Sequence, residues 1–276
     1  MIYGNENQRK FLKDWLINES KGAILLYGPE GVGKFSSVQE LLLENWEKII
    51  IRSENKILSI ETARFLSKIV YRKTTEKRII IVDDLHKFGE TNQNVLLKAL
   101  EDSPTLTLFV FITHRYNKIL KTIKSRSLRL KFNFVSQEET LKFLKEKNFS
   151  FSEIDFALTF YPNQPGKAYN LLKNKKLFKN FQEFFFNHNF LEKIKLIKDN
   201  FFSKEANSSE INNYFRELIE MFILWERKNI IDKIENKRKI DYYQIQKIRE
   251  LIELYEDSIY DLRWDLQLSN ILLNYG

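Results

Sequence analysis

The chain has 276 residues, 45 basic against 37 acidic side chains, and a formal charge of +8. With 43% hydrophobic and 30% charged residues it has the makeup of a folded globular protein, and its length favours two or three sub-domains over one core. Cysteine is absent, which excludes disulfides, thiolate catalysis and cysteine-ligated zinc. His86, His114 and His188 lie far apart in sequence, so no metal site is expected. The first eighteen residues mix Asn5, Glu6, Arg9, Lys10 and Lys13 with apolar residues, unlike a signal peptide. No run approaches the roughly 18 apolar residues of a membrane span. A cytoplasmic protein without membrane contact is expected.

Eight glycines and four prolines are little backbone punctuation, so the chain should be mostly helix with few tight turns. Four of those glycines, Gly22, Gly28, Gly31 and Gly33, fall within twelve residues. The basic excess is equally uneven. Residues 1–134 hold 23 basic and 15 acidic side chains, and the remainder 22 of each. A phosphate-bearing partner near the first half competes with compositional drift as the explanation.

The runs Ala23–Tyr27, Ile79–Val82 and Leu108–Ile112 are apolar without alternation, as strands buried on both faces are. Ile49–Ile51 and Leu128–Lys131 are candidates for a fourth and fifth strand. Helical patterns separate them at Phe35–Trp46, Ile60–Tyr71 and Asn92–Asp102. This alternation predicts a doubly wound α/β domain over residues 1–134. Beyond Phe134 the pattern is helical. Ser136 and Glu139 form a capping box that opens Gln137–Lys147. Ser152–Phe160 and a helix after Pro165-Gly166 complete a small helical domain at 135–177. Residues 178–276 read as long helices. Ile211, Phe215, Leu218, Phe222 and Trp225 form one stripe. Ile245, Ile248, Ile252, Tyr255, Ile259, Leu262 and Leu266 form another, stepping by three and four. Both fit an internal helical bundle better than an intermolecular seam.

Gly28-Pro29-Glu30-Gly31-Val32-Gly33-Lys34-Phe35 follows a strand and opens a helix, matching the phosphate-binding loop G-x-x-x-x-G-K-[ST] except at its last position. Such a loop turns backbone N–H groups onto an anion at a helix N-terminus, with Lys34 reaching the β- and γ-phosphates. The last position normally offers magnesium a hydroxyl. Phe35 cannot, and Ser36 lies about 100° further round the helix. Arg78-Ile79-Ile80-Ile81-Val82-Asp83-Asp84 reads as a strand that delivers Asp83 to the sheet edge. Asp84 follows where a hydrolytic base would sit, one methylene shorter than Glu.

Several blocks resemble bacterial clamp loaders. Asp83-Asp84-Leu85-His86 with Asn94–Pro104 is similar to their D-E-x-H … N-A-L-L-K-x-L-E-E-P-P block. Thr122-Ile123-Lys124-Ser125-Arg126-Ser127 resembles T-I-x-S-R-C. Ile60–Arg64 and Asn163–Ala168 resemble two further segments, the latter G-S-P-G-R-A. The matches run in family order from residue 22 to about 172. The resemblance implies an AAA+ fold, α/β followed by all-α: a parallel-sheet domain (1–134), a helical lid (135–177) and a helical collar for oligomerisation (178–276). Within the family the pattern is nearest the δ′ class, which donates an arginine but has a damaged hydrolytic centre. Arg126 would act in trans on a neighbour's γ-phosphate, and Asp84 is a degenerate base. Gly28, Gly31, Gly33, Lys34, Phe35, Ser36, Asp83, Thr113 and Lys167 would line the chain's own nucleotide site. Thr113 is a γ-phosphate sensor or a strand-end cap, and Lys167 replaces a sensor arginine. ATP or ADP is the implied ligand, with magnesium only alongside nucleotide and no zinc. The implied partners are γ/τ and δ subunits in a hetero-pentamer, the sliding clamp, and primed DNA through the complex. Independent catalysis is not expected. The alternatives are an active clamp-loader ATPase, with water in place of the hydroxyl, and a free-standing DNA-binding AAA+ protein.

Overall fold

A computed structural model describes residues 2–52, 64, 68–70, 72, 75–103, 106–186, 208–239 and 242–257. Five strands, β1 (Gly22–Tyr27), β2 (Glu47–Ile51), β3 (Arg78–Val82), β4 (Thr107–Thr113) and β5 (Leu128–Lys131), form one parallel sheet in the order β2-β3-β4-β1-β5. All five candidate strands are present. The uninterrupted apolar runs are explained by burial on both faces. Leu25, Ile80, Val82, Phe109 and Phe111 pack on one side, and Ile24, Leu26, Ile79, Ile81, Val110 and Ile112 on the other. Each such side chain contributes about 1.5–3 kcal/mol relative to exposure. The edge strands carry the exposed positions, Ile50 on β2 and Leu128 on β5.

Helix boundaries differ from the sequence reading where backbone geometry intervenes. The helix expected over Phe35–Trp46 is Lys34–Leu41. Leu42 turns extended, because Trp46 must reach the core and β2 starts at Glu47. The helix expected from Asn92 starts at Glu90, behind Gly89. Gln137–Lys145 carries the full capping box of Ser136 and Glu139, and stops two residues short of Lys147, ahead of the left-handed Asn148. Helices Phe151–Phe160 and Pro165–Lys173 follow, the second with proline in its first turn. Most of the helix expected at Ile60–Tyr71 lies outside the described residues, as does the resembling segment Ile60–Ala63.

The chain divides into two compact units, residues 1–150 with 161–169, and 151–160 with 170–276. In the second, helices Ser208–Glu235 and Tyr242–Asp257 pack together, joined by Lys247 and Glu226 at 2.7 Å. Leu218 is buried as expected, with Ile219 and Met221 beside it. The seam that starts at Ile245 is corrected. Ile245 and Ile252 are 53% and 43% exposed, and the buried residues are Leu251 and Leu254, one position earlier in the turn. Lys247 and Glu226 hold that face inward through charge, which an apolar pattern does not register. Ile211 and Phe215, and the seam beyond Asp257, lie outside the described side chains.

Candidate functional site

The carboxyl ends of β1, β3 and β4 meet at one edge because the strand order sets β4 between the other two. Gly28 leaves β1 with φ 139°, and a Cβ there would meet the Phe132 carbonyl oxygen at 2.1 Å. Only glycine satisfies both constraints. The loop then delivers Gly33, φ 90°, to the N-terminus of Lys34–Leu41, where the Gly33 carbonyl accepts from the Ser37 hydroxyl at 2.8 Å. Ser36 is exposed. Lys34 is buried and folds back over the loop, its Nζ donating to the Gly28 carbonyl at 2.9 Å and to the Pro29 carbonyl. Burial pulls its ammonium down to about 8, against the opposing charges of Glu30, Asp83 and Asp84.

The turn before Pro165–Lys173 closes onto this loop. Gly166 N–H donates to the Gly31 carbonyl at 2.7 Å, and Gln164 Nε2 to the Glu30 carbonyl at 2.9 Å. A Cβ on Gly31 would lie 2.8 Å from the Lys167 nitrogen, and one on Gly166 2.9 Å from the Gly31 oxygen. Lys167 Nζ sits 3.3 Å from Glu30 and over the Tyr161 ring. Burial alone would raise the Glu30 carboxyl, but Lys167 and His114 overcome it and hold it low.

Asp83 and Asp84 end β3 with different surroundings. Asp83 accepts from Arg52 Nε at 3.1 Å, and Arg52 lies 4.3 Å above the Phe35 ring. Burial and the Asp84 charge raise the Asp83 carboxyl despite Arg52. Asp84 takes a left-handed backbone, φ 55°, pairing with Lys87 at 2.8 Å and with His114 at 3.4 Å. Burial opposes its ionisation, but His114 and Lys87 prevail and hold it well below the usual carboxylate range. Thr113, fully buried, accepts from Arg115 N–H at 3.0 Å and shares a 3.2 Å hydrogen bond with His86 Nδ1. Burial, then the nearby His114, pulls the His86 imidazole down to about 3.

The expectation that the histidines stand apart is therefore corrected for two of them. His86 and His114 make edge-to-face contact with centroids 4.2 Å apart, and one donor atom from each lies within 4.8 Å of Asp84. They follow β3 and β4, adjacent strands in the sheet, although the two histidines are 28 positions apart in the chain. Sequence distance conceals a neighbourhood that sheet order creates. His188 lies outside the described residues.

Arg126 ends the helix Lys121–Arg126 and pairs with Glu101 at 2.6 Å, both side chains 45% exposed. Ser125 braces the turn by donating to the Thr122 carbonyl at 3.0 Å. Beside it is a cleft of about 390 Å³ lined by Tyr116, Lys121, Lys124, Ser125, Ser127 and Arg129. Lys124 lies 4.4 Å over the Tyr116 ring, and the buried Ser127 hydroxyl has no hydrogen-bond partner among the described residues. Gln93, which the sequence reading missed, fixes the approach to this helix. Its amide donates to the Phe88 and Lys118 carbonyls and accepts from Leu120 N–H, at 2.9–3.0 Å. A buried glutamine on an apolar helix face was the available signal.

A five-stranded parallel sheet with a glycine loop between β1 and a helix, and an acidic pair ending β3, defines the P-loop NTPase class of fold. Residues 37–136 match the family model described as DNA polymerase III, delta subunit. The δ′ subunit of DNA polymerase III from Buchnera aphidicola (Schizaphis graminum) is 29% identical over 101 residues, 36% of this chain and 31% of that protein. The γ subunit from the same organism is 35% identical over 86 residues, 31% and 24% of the two chains. Replication factor C subunit 4 of Encephalitozoon cuniculi is 28% identical over 151 residues, 52% and 49%. The chain thus spans about a quarter to a half of the length of these curated relatives. A crystal structure from Thermotoga maritima, titled as a DNA polymerase III γ subunit-related protein, superposes with a TM-score of 0.59 at 20% identity, covering 97% of this chain and 98% of that one. The sequence similarities are thus to clamp-loader subunits over part of the chain, and the whole-chain likeness shows a shared fold. Among the described residues no helix is long and apolar enough to cross a membrane.

Proposed function

We propose that this chain is a δ′-like, cytoplasmic clamp-loader subunit that leaves hydrolysis to its neighbours and supplies Arg126 to one of them. The observation that carries this reading is the disabled hydrolytic corner. Phe35 stands where a metal-binding hydroxyl belongs, and Asp84 is committed to Lys87 and His114, held ionised and far from the poise of a general base. The phosphate cradle itself is intact. Gly28 has the close backbone approach that a Cβ would block, and Lys34 is buried at the loop with its charge available near neutral pH, so the residues fit the phosphates of ATP or ADP. Binding supports assembly; water activation has no competent base.

Arg126 suits donation in trans. A guanidinium stays charged, is planar, and meets two phosphate oxygens at once. Its pairing with Glu101 is half exposed, and such surface pairs contribute only about 0–1 kcal/mol, so exchange onto a γ-phosphate costs little. Ser125 and Gln93 hold the turn and the segment leading into it. We take residues 1–134 as the nucleotide-binding-like domain, 135–177 as the lid and 178–276 as the collar that joins γ/τ and δ subunits around the sliding clamp and primed DNA. Reconstitution with cognate γ/τ and δ chains tests the proposal. Lys34→Ala in this subunit should leave the complex's stimulated ATPase largely intact, and Arg126→Ala should lower it without loss of assembly. ATPase of the isolated chain clearly above a Lys34→Ala control would overturn the proposal in favour of an active subunit.

A further inference from the structure

Magnesium is the ion a phosphate loop shares with the first carboxylate after β3, and the residues here do not fit it. The Phe35 ring offers no lone pair. Asp83 has both oxygens engaged, one accepting from Arg52 Nε at 3.1 Å and the other from Asp84 N–H at 3.1 Å.

We infer that Arg52 is a built-in replacement for that magnesium, so that the chain binds nucleoside di- and triphosphates without a metal. The inference rests on reading residues 28–34 as a nucleotide cradle. One guanidinium touches both places from which a metal would be held: its face covers Phe35 at 4.3 Å and its edge meets Asp83. A planar cation stacks on an aromatic ring and donates in plane at the same time; a hydroxyl-ligated metal needs the opposite surroundings. The two departures from the magnesium-binding pattern are therefore one device, because the ring that removes the metal ligand is the platform for its substitute. The sheet fixes the geometry. Asp83 N–H donates to the Ile51 carbonyl at 2.9 Å, which ties the end of β3 to the residue preceding Arg52. The Arg52 side chain is 61% exposed, and its terminal nitrogens make no other hydrogen bond among the described residues, which leaves donors for phosphate oxygens. Binding is therefore expected to ignore divalent metal.

The test is calorimetric binding of ADP and of ATP to the full chain, once with magnesium and once with EDTA. Affinity should agree within about twofold between the two media, and Lys34→Ala should abolish it, which places the ligand in the cradle. Arg52→Ala should weaken binding roughly tenfold or more in EDTA, with Arg52→Lys intermediate because a point charge lacks the stacking face. In the Phe35→Ser/Arg52→Ala double variant magnesium should improve binding, and manganese should show a bound electron-spin resonance signal with ADP. Wild-type affinity that rises about tenfold with magnesium overturns the inference and leaves the cradle reading intact. Undiminished EDTA affinity in a folded Arg52→Ala chain does the same. Absence of binding in both media overturns the cradle reading and the inference together.

Discussion

At the phosphate loop, Lys34, Arg52, Lys87 and Lys167 each meet an oxygen of their own chain: loop carbonyls, Asp83, Asp84 and Glu30. Around Lys121–Arg126, the helix leading into β5, which pairs with β1, Lys121, Lys124 and Arg129 line an open cleft with no acidic side chain among its lining. The first region has neutralised itself. The second has no carboxylate in its lining to balance its cations, and Arg126 beside it pairs with Glu101 at the surface. Two sites of one fold thus diverge by the placement of counter-ions, with the backbone scaffold of both retained.

The comparison breaks most severely at Gly28, where the self-contained region depends on backbone contact. Gly28→Ala forces a Cβ to 2.1 Å from the Phe132 oxygen at a φ of 139°, and should cost about 4 kcal/mol or more in denaturant unfolding. A Gly28→Ala chain as stable as wild type would show that the loop has slack. Arg126→Ala comes next. Arginine fingers contribute about 10³–10⁵ in rate at a single site, and a loader with several sites should lose less, about tenfold in DNA- and clamp-stimulated ATPase. Arg126→Lys should recover little of it. Clamp loading at the wild-type rate with Arg126→Ala would remove the contrast between the regions.

A smaller effect is expected from pH. His86 stays neutral in the folded chain down to about 3, whereas an ordinary imidazole protonates near 6.5. Between those values the unfolded chain binds more protons, so stability falls as pH drops through that window. Asp84, held ionised below its ordinary range, adds to the loss only at the acid end, once unfolded carboxylates protonate. His86→Gln should flatten the decline between about pH 6 and 4 in urea titrations; an unchanged slope would assign it to other groups. Smallest is the charge of the open cleft. Replacing Lys121 and Lys124 by alanine should leave stability within about 0.5 kcal/mol and lower the salt slope of primed-DNA binding by the assembled complex by about 1–2. No change in slope would mean that the cleft does not meet phosphates.

The sheet was legible because its strands are buried on both faces, and a run such as Ile79–Val82 has few other homes. The loop was legible because glycine is scarce and Gly28, Gly33 and Lys34 carry the G-x-x-x-x-G-K spacing. What escaped was lateral. Arg52 looks like one more cation after an edge strand, and nothing local connects it with Phe35 or with Asp83, 31 residues on. The His86–His114 contact is likewise a product of strand order. The face of Tyr242–Asp257 was misphased because Lys247 is drawn inward by Glu226, and a hydrophobic pattern treats lysine as outward-facing.

The paired glycines Gly31 and Gly166 have a consequence of another kind. Gly166 is required to be small by the Gly31 backbone, at 2.9–3.1 Å, and Gly31 by the nitrogen of Lys167, the residue after Gly166, at 2.8 Å, so their substitutions strain the same contact. Alanine at either position pushes the two segments apart and sacrifices the Gly166-to-Gly31 hydrogen bond. Once that separation has happened, alanine at the second position meets less resistance. The double substitution should therefore cost less than the two singles added together, a coupling of about 0.5–3 kcal/mol between residues 135 positions apart in the chain. Such coupling ties the loop to the turn after Asn163: once one glycine is lost, the steric part of the constraint on the other is relieved, while the positive φ of Gly31 remains.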